Sequence, residues 1–406
     1  YITMSNTQLK GNIGEWSEIY VFLRLLASGR MDVADDTLTA IPNEFYKILA
    51  ILRKEANSDN QYLRAEDHIL IKIKNDETGK IEEISMSVEQ FAKNADILLD
   101  GLQHQKGRVA SYPCTQSFMK ELKISSIKDI GHKRDITISI EDFHNGISQT
   151  LGFSIKSFIG KQSTLFNPGP GTNFIYQITF PDGVNIDCDK FNAETYAGLP
   201  GKISARLAKI EELGGTISFD SIQSDCLTQN LRTIDGELPV ILANALLIKY
   251  SKRISSWEHI IEELNDQNPL GYRIAPNSPV YEIKIARFLQ DAAMGMTPET
   301  PWSGFYDADG GQIVVKKDGD IVCYHIYELN RFRKYLLNST QIEQPATGED
   351  KHNPGHIKRD SVSHKPKKQF LFGWLYQEDG RYFLKINLQV RFKGISKTRQ
   401  HKANTK

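Results

Sequence analysis

The stretch DITISIEDFHNGISQTLGFSIK, residues 135–156, predicts a β-hairpin. In its first half every second residue is isoleucine, which is the period-two pattern of a strand with one buried face. Asn145-Gly146 predicts the turn, because both residues tolerate the positive φ that a tight hairpin requires. In the returning strand Ser154 and Lys156 alternate with apolar residues and therefore face away from the buried side. Asp135 and Lys156 are thus expected on neighbouring strands, both off the apolar face.

An acid and a lysine on one face of a hairpin predict metal-dependent hydrolysis of a phosphodiester. The carboxylate of Asp135 suits a hard divalent cation, and the ammonium of Lys156 suits a position beside the attacking water. A lysine in a strand as apolar as GFSIKSFI needs solvent or a partner for its head group. Each residue also has a plainer interpretation. Lys156 alone fits an edge-strand lysine that reaches solvent, and Asp135 alone fits the polar end of a strand.

Composition places the chain among ordinary globular proteins, with 406 residues, 40% hydrophobic and 25% charged. Lys plus Arg and Asp plus Glu both number 50, so net charge neither indicates nor excludes a polyanionic partner, which needs only a local basic patch. The four cysteines form no CxxC pair and predict neither a zinc site nor a disulfide framework. We expect no membrane partner and a cytoplasmic location, because no apolar run has spanning length and the first residues lack a signal-peptide core.

The first helix is expected from about Asn12 to Ser28, where apolar residues recur at helical spacing. Asn12 followed by Glu15 predicts a capping-box variant, and Gly29 predicts the end of the helix. Glu15 therefore has a structural role available, whereas Glu18 has none. Taken alone, Glu18 fits a solvated helix charge.

Patterns elsewhere mix helix and strand and predict an α/β or α+β protein with one mixed central sheet. Helical patterns cover about 41–54, 88–103 and 283–294, a helix-rich segment spans about 194–264, and strand patterns cover 67–89 and 172–180. Asp318-Gly319 and Asp379-Gly380 predict the turns of hairpins at 311–327 and 369–392. Residues 36–128 exceed a connecting loop and are expected to form an inserted subdomain. Residues 341–368 are expected to form a mobile polar loop, and 393–406 a basic disordered tail.

The predicted elements resemble the core of the PD-(D/E)xK nuclease superfamily. The resemblance lies in their order: a helix with a glutamate, then a strand with an aspartate, then a strand ending in SxK. More narrowly, GEWSEIYVFLRLLASG, GFSIKSFIGKQSTLFN with TNFIY, and FLKINLQVRF resemble the HpaII-like type II restriction endonucleases. The resemblance implies a PD-(D/E)xK nuclease core with a mixed central β-sheet flanked by helices, plus inserted and C-terminal subdomains. The first helix of that core falls in 1–35, and 129–340 holds the remaining core and the DNA-reading elements.

The resemblance also implies roles for single residues. Asp135 matches the metal-binding aspartate, Lys156 the lysine of the tripeptide, and Glu18 the helix glutamate eleven residues before Gly29 (29 − 18 = 11). Mg²⁺ would be held by Asp135, Glu18 and the main-chain carbonyl of Ile155. The expected products are a 5′-phosphate and a 3′-hydroxyl.

Two positions depart from the superfamily pattern. Arg134 precedes Asp135 where the superfamily often has proline, and that proline is commonly absent. Ser154 occupies the position of an acid in the tripeptide, which removes one carboxylate from the metal shell. Glu18 is the candidate to replace that charge in space, and without a replacement the site would be inactive.

Double-stranded DNA with a short palindromic site, CCGG by resemblance, is the expected partner, most simply for a two-fold homodimer. A cognate DNA methyltransferase would act on the same site without needing to bind the protein. Candidate DNA-binding residues lie just after the catalytic strand: Lys161, Gln162, Ser163, Asn167 and Asn173. A merely polar loop fits them equally well.

Two other functions remain open at this point. A repair or junction nuclease could use the same core. Alternatively, the replacement of the acid by Ser154 fits a sequence-specific DNA-binding protein that has lost catalysis.

Overall fold

The computed structural model describes residues 8–131, 134–160, 163–194, 201–273, 275, 277–360, 363–364 and 371–393. The chain divides into two compact units. The first contains residues 1–163, 306–335 and 398–406, and the second contains residues 164–305 and 336–397. Among the described residues, no helix combines the length and the apolar character needed to cross a membrane.

In chain order the elements are α1 (Ile13–Ser28), β1 (Arg30–Ala34), β2 (Ala40–Glu55), β3 (Ser58–Arg64), β4 (His68–Asn75), β5 (Ile81–Ser87), α2 (Val88–Gln103), α3 (Pro113–Glu121), β6 (Ile136–Glu141), β7 (Ser148–Ser157), β8 (Thr164–Phe166), β9 (Asn173–Thr179), α4 (Cys188–Ala193), α5 (Lys202–Glu212), β10 (Thr216–Ile222), α6 (Asp225–Ile234), α7 (Leu238–Lys252), α8 (Trp257–Gln267), α9 (Val280–Ala293), β11 (Gly311–Val315), β12 (Ile321–His325), α10 (Leu329–Ser339), β13 (Thr340–Ile342), β14 (Leu375–Glu378), β15 (Arg381–Asn387) and β16 (Val390–Phe392). The protein is therefore a mixed α/β protein.

The first unit is built on a nine-stranded sheet in the order β1-β12-β11-β7-β6-β2-β3-β4-β5. Two pairs, β1–β12 and β11–β7, are parallel and the others are antiparallel, so the sheet is mixed as the sequence predicts. β1 also pairs with β2, which closes six of the strands into a ring. In the second unit, β10-β9-β15-β14 form one sheet and β13-β16-β8 another.

Helix α1 packs into the core of the first unit and is the most buried of its described helices. Nine of its 16 residues are buried, and it contacts β1, β2, β7 and α2. Its end points are those expected from the sequence, with Asn12 as N-cap and Gly29 in the left-handed conformation at the C-terminal end. The odd-numbered side chains Phe153 and Ile155 of β7 join the same apolar core. The alternation predicted for β7 is therefore confirmed.

The helix predicted over 41–54 is wrong, because these residues belong to strand β2. Buried Tyr46, Ile48 and Ile51 are spaced by two and then three residues, since a bulge shifts the register between Ile48 and Ala50. A bulge adds one residue to the period-two pattern and thereby imitates helical spacing. The turn of the β6–β7 hairpin also differs from the prediction: it spans 142–147, and of the two turn residues only Gly146 has a positive φ.

The division of the chain differs from the predicted domain ranges. Residues 36–128, predicted as an inserted subdomain, supply β2, β3, β4 and β5 to the same sheet as β6 and β7. Part of the predicted mobile loop is folded, because Glu349 pairs with Ile357 in a β-bridge and its carboxylate forms a buried ion pair with Arg206. Residues 361–362 and 365–368 of that loop and 394–406 of the predicted tail lie outside the described residues.

Candidate active site

The position of Glu18 follows from the way in which α1 begins. The Asn12 side chain accepts a hydrogen bond from the main-chain N–H of Glu15 (3.0 Å), and the Glu15 carboxylate accepts one from the main-chain N–H of Asn12 (2.9 Å). This reciprocal capping box uses the Glu15 carboxylate for the helix end. Glu18 lies one turn later, at the margin of the apolar stripe, and its side chain is half-buried.

Asp135 lies immediately before β6, directly beside β7. Its main-chain N–H donates to the carbonyl oxygen of Phe153 (3.2 Å), which extends the strand pairing by one residue. Its carboxylate Oδ2 accepts a hydrogen bond from the main-chain N–H of Ile155 (2.6 Å). This short bond holds the carboxylate between the two strands. The N–H and C=O of a strand residue point to the same side, so the Ile155 carbonyl is also directed to the side of Asp135.

Glu18, Asp135 and Lys156 form one electrostatic cluster. Burial, reinforced by the negative charge of Asp135, raises the pKa of Glu18 to about 8. Burial also raises the pKa of Asp135, although the Ile155 N–H and the Lys156 ammonium oppose this shift. Burial lowers the pKa of Lys156 against the opposing influence of both carboxylates. The structure therefore brings together the three ionisable residues selected from the sequence.

These three charged groups are not paired with one another in close contact. Within the described ranges, Glu18, Asp135 and Lys156 form no ion pair with an N–O distance of 4.0 Å or less. An ionised group taken partly out of water needs compensation from a partner. Desolvated titratable groups with shifted pKa values and no close ion pair, gathered in one place, are typical of a functional site.

The oxygen donors in this cluster suit a hard divalent cation. The part of the chain that the structure describes has no group of three or more His, Cys, Asp or Glu side chains arranged to hold a metal. Two carboxylates, of Asp135 and Glu18, and the main-chain carbonyl of Ile155 are the available donors. Mg²⁺ is commonly bound by one or two carboxylates while it keeps several waters, so this small set of oxygens fits it.

Ser154, which replaces the acid of the expected tripeptide, has a partner that the sequence analysis missed. Gln312 of β11 lies opposite Ser154 in the parallel β11–β7 pairing, and its Nε2 donates to Ser154 Oγ (3.5 Å). Gln312 is fully buried, and its Oε1 has no hydrogen-bond partner among the described residues. The sequence contained a signal for Gln312, because it is the one polar side chain of the otherwise apolar strand GQIVV.

The predicted DNA-binding residues differ in exposure where the structure describes them. Lys161 and Gln162 lie outside the described residues. Ser163 is half-buried and Asn167 is exposed. Asn173 is fully buried, and its side chain is hydrogen-bonded to Gln223 (3.1 Å) and to Asn387 (2.7 Å). Asn173 therefore holds strands together, which differs from the predicted contact with DNA.

Comparison with known proteins identifies the family. The family model described as HpaII restriction endonuclease matches residues 12–392. The chain is 33% identical to the type II restriction enzyme HpaII of Haemophilus parainfluenzae over 386 residues, which cover 94% of this chain and 98% of that enzyme. No solved structure matches the chain. The match of the family model and the relative over nearly the whole chain show that the protein belongs to the HpaII restriction endonuclease family.

Proposed function

We propose that the protein is a Mg²⁺-dependent type II restriction endonuclease that uses Asp135, Glu18 and Lys156 to hydrolyse phosphodiester bonds of duplex DNA at a short palindromic site. Family membership makes the protein a restriction endonuclease, a site-specific hydrolase with DNA as its substrate. The observation that carries the residue assignment is the cluster of these three groups, which are desolvated and unpaired. Their order along the chain supports a PD-(D/E)xK nuclease core.

Asp135, Glu18 and the Ile155 carbonyl are the residues that would hold the cation. Bound Mg²⁺ polarises the scissile phosphate and lowers the pKa of a coordinated water. The hydrogen bond from the Ile155 N–H keeps Asp135 oriented before the cation arrives. With Ser154 in place of an acid, two carboxylates remain, and this charge suits a single ion.

Lys156 supplies the positive charge that faces the reacting phosphate. Its ammonium lies near two carboxylates without a close ion pair, so it is available to orient the attacking water or to stabilise the charge that develops on the phosphate. Such preorganised charge is most effective in a site of low water content. Gln312 acts on Ser154 in this proposal: its amide fixes the hydroxyl at the position where the superfamily carries an acid.

For the DNA site we propose CCGG, the sequence that the family resemblance implies. A palindrome is read most simply by two identical subunits related by a two-fold axis, so we propose a homodimer. A cognate methyltransferase would modify the same site to protect the host DNA. It need not contact the endonuclease.

Digestion of a plasmid of known sequence tests this function, with Mg²⁺ or with EDTA, followed by mapping of the fragment ends. We expect discrete Mg²⁺-dependent ends that share one short palindrome, and no cleavage by Asp135→Asn. Random ends, or cuts at branched structures, would favour a repair or junction nuclease. Intact DNA that is retarded on a gel would favour the second candidate, a catalytically silent DNA-binding protein, for which the serine at 154 is the supporting observation.

A further inference from the structure

One face of the first unit's sheet contains a groove that the proposed chemistry does not use. The groove has a volume of about 410 Å³, and its lining residues come from β2, β3, β4, β5, β6 and β7 together with adjoining loops. Lys72 and Lys74 of β4 alternate with Ile71 and Ile73, which belong to the apolar core. The groove therefore lies on the sheet face opposite the core.

From this groove we infer a binding surface for the phosphodiester backbone of the duplex that flanks the cut site. The inference rests on the proposed function, because it takes DNA as the ligand. In this inference the sheet face contacts the DNA backbone outside the recognised bases. Such contacts raise the affinity for DNA but do not select its sequence.

The charge of the groove fits a polyanion. The cationic side chains on this face are those of Lys54, Lys72, Lys74 and Arg134, and two carboxylates, of Asp59 and Asp129, also line it, a local excess of two positive charges (4 − 2 = 2) in a chain whose totals are 50 and 50. Lys54 is paired with both Asp59 (3.0 Å) and Asp76 (2.8 Å), and Lys72 is paired with Glu83 (3.1 Å). Such exposed pairs exchange readily for another anion.

Two cations of the groove form no close ion pair in the described part of the chain. Within the described ranges, neither Lys74 nor Arg134 forms an ion pair with an N–O distance of 4.0 Å or less. Lys74 is exposed. Their charges are therefore available to phosphate groups without the loss of an existing pair.

One lining residue, Arg134, is the neighbour in sequence of the candidate active-site residue Asp135. Its Nε donates to the hydroxyl of Thr137 (2.9 Å) in the groove wall. The Arg134 side chain crosses β7 at Gly152, where a Cβ would lie 2.0 Å from Arg134 Cδ and 2.9 Å from the main-chain oxygen of Asp307. Only glycine leaves this passage open. Arg134 is thus held over β7, the strand that carries Lys156.

The length of the groove matches several nucleotides of backbone. From β7 to β4 there are four inter-strand steps, which amount to about 19 Å at the usual spacing of neighbouring strands. Successive nucleotides of one DNA strand rise about 3.4 Å along the axis. The groove therefore spans about five to six nucleotides of backbone, which is enough for two or more lysine–phosphate contacts.

The test compares duplexes that carry the mapped cleavage site with short or long flanks, about two or about eight base pairs on each side. Binding is measured by fluorescence anisotropy at several KCl concentrations, with Ca²⁺ in place of Mg²⁺. The variants are the double substitution Lys72→Gln with Lys74→Gln and the control Lys93→Gln. Lys93 is an exposed lysine of α2 in the same unit, outside the groove lining.

For the wild type we expect tighter binding and a steeper salt dependence on the long duplex than on the short one. The double variant should lose this advantage, and the slope of log K against log salt on the long duplex should fall by about two. Lys93→Gln should behave as the wild type, and cleavage of the short duplex should be unchanged in both.

The groove inference would be overturned if the double variant kept the wild-type salt dependence and the tighter binding to the long duplex. It would also be overturned if Lys93→Gln weakened binding to the long duplex as much as the double variant does. Either result would leave the proposed function intact. A wild-type protein that neither binds nor cuts duplex DNA would overturn the proposed function and, with it, the inference.

Discussion

Two clusters of buried charge in the first unit differ in how they are satisfied. Arg53 and Glu55 form an ion pair (2.6 Å) with side chains only 6% and 4% exposed. Arg53 also donates to the carbonyl oxygens of Ser126 (2.5 Å) and Ile127 (3.0 Å). Glu55 also accepts a hydrogen bond from the main-chain N–H of Ser125 (2.9 Å). Every charge of this cluster is matched by the protein itself.

The cluster of Glu18, Asp135 and Lys156 uses the same kinds of side chain but leaves them unmatched. Asp135 accepts one hydrogen bond, from the Ile155 N–H, and no close ion pair joins the three in the described part of the chain. The difference separates structure from function: a matched cluster stabilises the fold, whereas an unmatched one keeps its binding capacity for a ligand. The comparison predicts opposite effects of substitution in the two places.

The largest expected effect is on cleavage by Lys156→Met. We expect the single-turnover rate to fall by at least about 1,000-fold, because a preorganised charge beside the reacting phosphate is lost. The free energy of unfolding, measured by urea denaturation, should stay within about 1 kcal/mol or rise, since the substitution removes a desolvated charge without breaking an ion pair. Cleavage that survives this substitution would remove Lys156 from the proposed mechanism.

Arg53→Met should do the reverse and lower the free energy of unfolding by about 3–5 kcal/mol, because Glu55 would be left buried without its partner. The double variant Arg53→Met with Glu55→Leu should recover a large part of this loss. Urea denaturation of the single and double variants measures both. If Arg53→Met lowered the free energy of unfolding only slightly, full hydrogen bonding of a buried ion pair would not be what separates the structural cluster from the cluster of Glu18, Asp135 and Lys156.

The raised pKa of Glu18 predicts a dependence of stability on pH. Its pKa is about 8 in the folded protein and 4.5 ordinarily, so the folded state binds the proton more tightly. This contribution to stability is complete below about pH 4.5 and is lost as the pH rises through about 8. In EDTA, the free energy of unfolding should fall by a few kcal/mol between about pH 5 and pH 8.5, and the decrease should be smaller in Glu18→Gln.

Mg²⁺ provides a second test of the Glu18 titration, because a bound divalent cation favours the ionised form of the Glu18 carboxyl group. Mg²⁺ should therefore raise the unfolding temperature of the wild type more at about pH 8 than at about pH 6, with release of protons on binding. Asp135→Asn should lose the Mg²⁺ effect. Equal pH dependence in the wild type and Glu18→Gln would show that Glu18 does not carry the titration.

Local signals allowed the sequence to predict the parts of the fold that depend on neighbouring residues. The capping box and Gly29 set the ends of α1, and both Asp379 and Gly380 have the positive φ that their turn requires. Contacts between distant residues were not predictable in this way. The β1–β2 pairing that closes the ring and the bulge in β2 are tertiary features, and the bulge made 41–54 resemble a helix.

The residues of the candidate site show the same distinction between local signals and contacts of distant residues. Asp135 and Lys156 lie in one hairpin, where alternation alone placed them on one face, and the structure brings Glu18 to them. Gln312 was missed because it reaches Ser154 through a parallel pairing between strands that are 158 residues apart. Arg134 entered the sequence analysis only as a departure from a motif, since its path over Gly152 depends on the folded sheet.

The smallest expected effect separates the two glutamates of α1. Glu15→Ala removes half of the capping box and should lower the free energy of unfolding by about 0.5–1 kcal/mol, with the cleavage rate changed by less than about twofold. Glu18→Ala should have the opposite profile, with a much larger loss of cleavage and little loss of stability at neutral pH. The two residues share a helix and differ by one turn, so each variant is the matched control for the other. If Glu15→Ala lost more cleavage than Glu18→Ala, the helix carboxylate would have been assigned to the wrong residue, and the unmatched cluster would reduce to Asp135 and Lys156.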